Sequence, residues 1–143
     1  MSDDVVYADV VLRGPADWQR VVNAIRPNAG PAVERGKPLH VIVVSSEADA
    51  TDEQRAFYFA HVLKRIADEV PEEDGDLRPV AYWHEKLALE FLGMVETTSQ
   101  RTGRIHRRRR SVARGEITVG EMARYITTLQ AWAANNHAIE WDF

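Results

Sequence analysis

Seven arginines stand close together in this chain: Arg101, Arg104, Arg107, Arg108, Arg109, Arg110 and Arg114, with His106 among them. No acidic residue interrupts residues 97–115. A guanidinium presents a planar fork of donors that suits phosphate, and its flat face also stacks on bases. Four arginines in succession, 107–110, repel one another, and a bound anion relieves that repulsion. A basic run of this kind points to nucleic acid. A solvated tether, an anionic membrane surface or an acidic protein partner would use the same charge. The chain as a whole is mildly acidic, with 18 Lys and Arg against 22 Asp and Glu and a net charge of -4. The clustering therefore carries the signal, not the average. The excess of Arg over Lys also follows from GC-rich coding and adds little.

A second constellation is aromatic. Phe57, Tyr58 and Phe59 are consecutive in a segment that reads as helix. Neighbours on a helix are about 100° apart, so the three cannot share one core. Phe59 falls on the apolar stripe, which leaves Tyr58 to one side near Gln54 and Arg55. Aromatic and arginine side chains together suit single-stranded nucleic acid, since every base has a face to stack on. An oligomer contact is an equal use of the same surface.

Catalytic patterns fail on inspection. His84-Glu85-Lys86-Leu87-Ala88 starts like a zinc-protease helix, but Ala88 stands where the second imidazole must be. There is no phosphate-binding glycine loop, no dinucleotide-binding glycine pattern and no serine in a nucleophile-elbow context. With no cysteine there is neither a disulfide nor thiolate chemistry. The acidic stretch at 72–76 reads as a solvated connector, although hard cations also take several carboxylates. The five histidines are dispersed. We expect no enzyme activity, no cofactor and no metal. A nuclease would need carboxylates gathered around Mg²⁺, and folding could assemble such a cluster from distant positions.

These residues need elements to hold them. At 143 residues the chain suits one domain, 1–143, with a basic loop or hairpin at 97–115. Residues 5–12 read as a strand, Pro15 opens a helix carrying Trp18, Val21, Val22 and Ile25, and Pro27 ends it. Residues 28–38 read as a loop. Residues 39–44, apolar and β-branched, read as a buried strand paired with the first. Thr51 and Gln54 form a capping box for a helix that lines up Phe59, Leu63, Ile66, Ala67 and Val70 and stops at Pro71. Pro79 starts another helix and Gly93 stops it. Residues 94–97 read as a short strand. The basic segment is poor in apolar residues, so its arginines are expected to contribute little to folding. Thr118 and Glu121 cap a last helix with Met122, Tyr125, Ile126, Leu129, Trp132 and Ala133 on its apolar side, stopping at Asn135-Asn136. Residues 139–143 read as a final strand. Tyr58, Tyr125, Trp132 and Trp141 exceed what the helix stripes need, which predicts a homodimer. No apolar run reaches the ~20 residues of a membrane span, and the start of the chain does not read as a signal peptide, so a cytoplasmic location is expected.

The order of these features resembles the phage NinB/Orf family of recombination mediators. Three segments carry the resemblance: Thr51-Asp52-Glu53-Gln54-Arg55-Ala56-Phe57-Tyr58; Tyr82-Trp83-His84-Glu85-Lys86 with the apolar positions after it; and Ser111 through Thr118-Val119-Gly120-Glu121-Met122 to Ile139-Glu140-Trp141. The resemblance implies an α+β fold in which a small mixed sheet packs with three to four helices, and an intertwined homodimer. It implies a non-enzymatic accessory protein that binds single-stranded DNA and the host single-strand-binding protein to assist recombinase loading. Gln54, Arg55 and Tyr58 match family positions linked to function. The arginine run is richer here than in the family pattern. A small metal-dependent nuclease or junction resolvase, and an adaptor that binds only protein, are the alternatives.

Overall fold

The computed structural model describes residues 6–141. The fold is α+β. Its order is α1 (Pro15–Glu34), α2 (Asp52–Phe57), a π-helical segment (Tyr58–Leu63), α3 (Lys64–Glu69), α4 (Val80–Phe91), β1 (Met94–Thr98), β2 (Ile105–Arg109) and α5 (Val119–His137). The core is built from Ala50 onward. Phe57, Tyr58, Val62, Leu63 and Ile66 meet Trp83 and Leu87 of α4 and Met122, Tyr125, Ile126 and Leu129 of α5, while Val112, Ile117 and Ile139 close the ends.

Both capping boxes form. Thr51 Oγ1 accepts from Gln54 N and Gln54 Oε1 accepts from Thr51 N, each at 3.0 Å. Thr118 and Glu121 repeat the exchange at the start of α5. The next two amides of α5 also find partners: Val119 N donates to Ala48 O at 2.8 Å and Gly120 N to Ser46 O at 2.9 Å. A side chain at 120 would bring its Cβ within 3.1 Å of Ser46 Cβ, so a glycine lets the 46–50 segment lie directly on the helix. At the other end of α5, Ala138 takes a left-handed conformation (φ 55°). Ile139 N reaches back to Ala133 O at 3.3 Å, and the Ile139 side chain is buried, the arrangement of a Schellman stop. The helix thus runs through Asn135 and Asn136, where the sequence predicts its end.

The π-helical segment changes which aromatic faces inward. In an unbroken α-helix the stripe above Leu63 falls four residues back, on Phe59. A π-turn moves it to five. Tyr58 is therefore fully buried, and Phe59 is 37% exposed.

The N-terminal part departs furthest from expectation. α1 continues through Pro27 and Pro31 to Glu34, where the sequence predicts a stop and a loop. The two prolines are four residues apart, so their missing donors lie on one side of a helix whose only buried residue is Ala32. Residues 6–12 and 39–44 form no strand, and the sheet among the described residues is the single antiparallel pair β1–β2, in place of the expected mixed sheet. Residues 6–13 instead run along α5, held where Gln54 Nε2 donates to Asp9 Oδ2 at 3.1 Å. Residues 139–141 are not a strand, and 142–143, like Val5, lie outside the described residues. Among the described residues no helix is long and apolar enough to cross a membrane.

Candidate nucleic-acid interface

The basic segment is a hairpin. Gly93 (φ 79°) turns the chain out of α4, and its carbonyl accepts from Arg110 N at 3.0 Å, closing the base. Met94 lies opposite Arg109, Glu96 opposite Arg107 and Thr98 opposite Ile105. At the tip Gly103 (φ 69°) donates to Ser99 O at 2.8 Å, and Ser99 N to Arg104 O at 2.9 Å. Side chains alternate across a strand, so Ile105, Arg107 and Arg109 share one face and His106 and Arg108 the other. Neither face is covered: eight of the ten strand positions are exposed, with Val95 and Arg109 half-buried at the base.

The arginines sort into three groups. Arg101 and Arg104, at the tip, have no ion-pair partner among the described residues. Arg107, Arg108 and Arg114 meet Glu96 at 2.7 Å, Glu116 at 3.0 Å and Asp52 at 2.6 Å, all on the surface. Such pairs stabilise by about 0–1 kcal/mol and compete poorly with a phosphate. Arg109 and Arg110 differ. Arg109 makes a bidentate pair with Glu85 of α4, 3.0 Å for each contact, and donates to Arg110 O at 2.6 Å. Arg110 meets Glu121 of α5 at 2.6 Å. Their side chains are only 22% and 26% exposed. They bind the ribbon to the body, which corrects the expectation that the whole run is dispensable for folding. The carboxylates report the same contacts. A hydrogen bond from Arg109 holds Glu85 below the usual range, and one from Arg110 does so for Glu121. Asp52 is lowered by hydrogen bonds from Arg55 and then Arg114.

The second constellation is placed differently. Gln54 is buried, and its amide is shared among Thr51, Asp9 and the Val119 carbonyl, so it ties the N-terminal segment to two helices. Arg55 donates to Ala50 O at 3.0 Å and pairs with Asp52 at 2.5 Å. Tyr58 has no exposed surface for a base or for a partner subunit. Its hydroxyl lies 2.7 Å from His84 Nδ1 and 2.8 Å from the Tyr125 hydroxyl. Burial raises both phenols, Tyr125 to about 12, and burial, with Arg109 nearby, lowers His84. These three side chains hold the fold together; stacking by Tyr58 is not open. Phe59, beside His84 with ring centroids 5.0 Å apart, is the aromatic that reaches the surface. Sequence spacing misses it because the π-turn has no signature in residue type.

In the acidic connector Glu72 is engaged by Lys86 at 2.8 Å and by the Tyr82 hydroxyl, and Asp74 by Arg78. Among the described residues no group of three or more His, Asp or Glu is arranged to hold a metal ion.

No known protein-family model matches the chain, and no curated protein sequence matches it. One solved structure, of a protein named NinB determined in structural genomics, superposes on it with a TM-score of 0.48 and 17% identity, over 93% of this chain and 87% of its own.

Proposed function

We propose that this chain is a non-enzymatic DNA-binding protein that assists recombination, with the arginine hairpin as its contact to the DNA backbone. One observation carries the reading. Seven arginines lie on or beside a projecting ribbon, two of them free of ion pairs among the described residues and three in surface pairs that a phosphate can replace. The recombination setting, single-stranded DNA and the single-strand-binding protein as partners rest on the sequence resemblance. Assembly as a homodimer draws support from residues 39–44, an apolar run left exposed, since large exposed apolar patches mark interfaces.

Titrating salt against DNA affinity tests this. Replacing Arg101, Arg104, Arg107 and Arg108 by alanine keeps the anchors Arg109 and Arg110. Affinity should fall, and the log-log salt slope should flatten by up to about 3–4 if each arginine meets one phosphate. Unchanged affinity and slope would remove the hairpin as the contact. Magnesium should produce no cleavage of single-stranded, duplex or branched DNA; cleavage abolished by one carboxylate substitution would favour the nuclease reading instead.

A further inference from the structure

Resting on the DNA-binding reading, we propose that the ligand of the hairpin itself is duplex DNA, with the ribbon seated in the major groove. The shape is the first ground. That groove is about 12 Å wide and 8.5 Å deep, and admits a two-stranded β-ribbon. β1 and β2 are five residues each, a length of about 17 Å at about 3.4 Å per residue. Among the described residues the ribbon is held to the body at its base by Arg109 and Arg110, with one surface pair, Arg108 to Glu116, beside them.

Charge placement is the second ground. Arg107 and Arg108 lie on opposite faces, and Arg101 and Arg104 at the tip. A single strand tracks one side of a surface and would leave one face unmatched. A groove has a phosphate chain along each wall, so both faces of an inserted ribbon meet anions, and the tip arginines reach the floor, where guanine offers two acceptors to a guanidinium fork.

The third ground is what the ribbon lacks. Residues 94–114 contain no Phe, Trp or Tyr. Single-strand binders combine a cationic track with aromatic platforms, each worth about 1–3 kcal/mol per base. The exposed aromatics Phe59, beside His84, and Trp18, on α1, lie on helical segments and not on the ribbon.

The experiment compares a 20-base-pair duplex with a 20-nucleotide single strand of mixed sequence, by fluorescence anisotropy on the full chain at fixed salt. The expected result is tighter binding to the duplex, with methyl green, which occupies the major groove, displacing the protein. The R101A/R104A/R107A/R108A variant, checked for an unchanged circular dichroism spectrum, should weaken duplex binding at least tenfold, and F59A should leave it unaltered. Tighter binding to the single strand, weakened by F59A, overturns the groove proposal and leaves the DNA-binding reading standing. Duplex binding that survives the arginine variant, or resists methyl green, also overturns it. Binding to neither DNA overturns both.

Discussion

The two parts of this chain use the same kinds of residue to opposite ends. From Ala50 onward, apolar positions at helical spacing find one another, and Trp83, Leu87, Tyr58 and Leu129 are wholly enclosed. From residue 6 to 46, the apolar content is as high locally but only Ala32 is fully buried: Val41, Ile42, Val43 and Val44 are 61%, 50%, 87% and 46% exposed, and Trp18 57%. α1 starts at Pro15, carries two prolines in its interior and buries only Ala32 fully. The body packs against itself, whereas the arm presents a hydrophobic run with nothing of its own chain to pair with. Hydrophobicity alone does not decide burial; what decides it is whether the chain supplies a complementary surface within reach.

The sharpest way to break this contrast is to cut into each part. Leu87→Ala removes a fully buried side chain between α4 and its neighbours, and should destabilise the body by about 2–5 kcal/mol in urea unfolding. A loss under about 1 kcal/mol would mean the core is looser than its packing shows. Val41→Asp with Val43→Asp should change the same unfolding midpoint little, since exposed substitutions usually stay within about 0.5 kcal/mol. Their effect should fall on assembly. Sedimentation should show a dimer weakened tenfold or more, because a charge at a β-pairing or apolar interface is buried without a partner. A wild-type chain that sediments as a monomer at all workable concentrations would remove the arm's proposed occupant. The smallest effect is one of pH. Burial, then Arg109, lowers His84 from its ordinary 6.5, while Glu85 opposes the shift, so the folded body disfavours protonating it. The corresponding stability is present above pH 6.5 and is lost as pH falls through the folded value. The midpoint of thermal unfolding should drift downward between pH 7.5 and 5.5, and His84→Gln should reduce the drift. An identical pH dependence in the variant would show that other groups set it.

Local rules alone determined much of the body. The two capping boxes, the Pro79 and Gly93 bounds of α4, and the stripes on α4 and α5 follow from residue type and spacing, because each is an interaction between near neighbours. The arginine cluster was equally legible, being a matter of composition. Tertiary structure decided the rest. Arg109 and Arg110 look like Arg107 and Arg108 in sequence, and only Glu85 and Glu121, brought up from two helices, make them anchors. Gln54, Arg55 and Tyr58 read as a surface set, and a single π-turn carried Tyr58 inward and left Phe59 outside. Residues 39–44 have the composition of a buried strand, yet a strand exists only where another offers its hydrogen bonds. None of the described residues does so, and local sequence holds no record of which surfaces will meet.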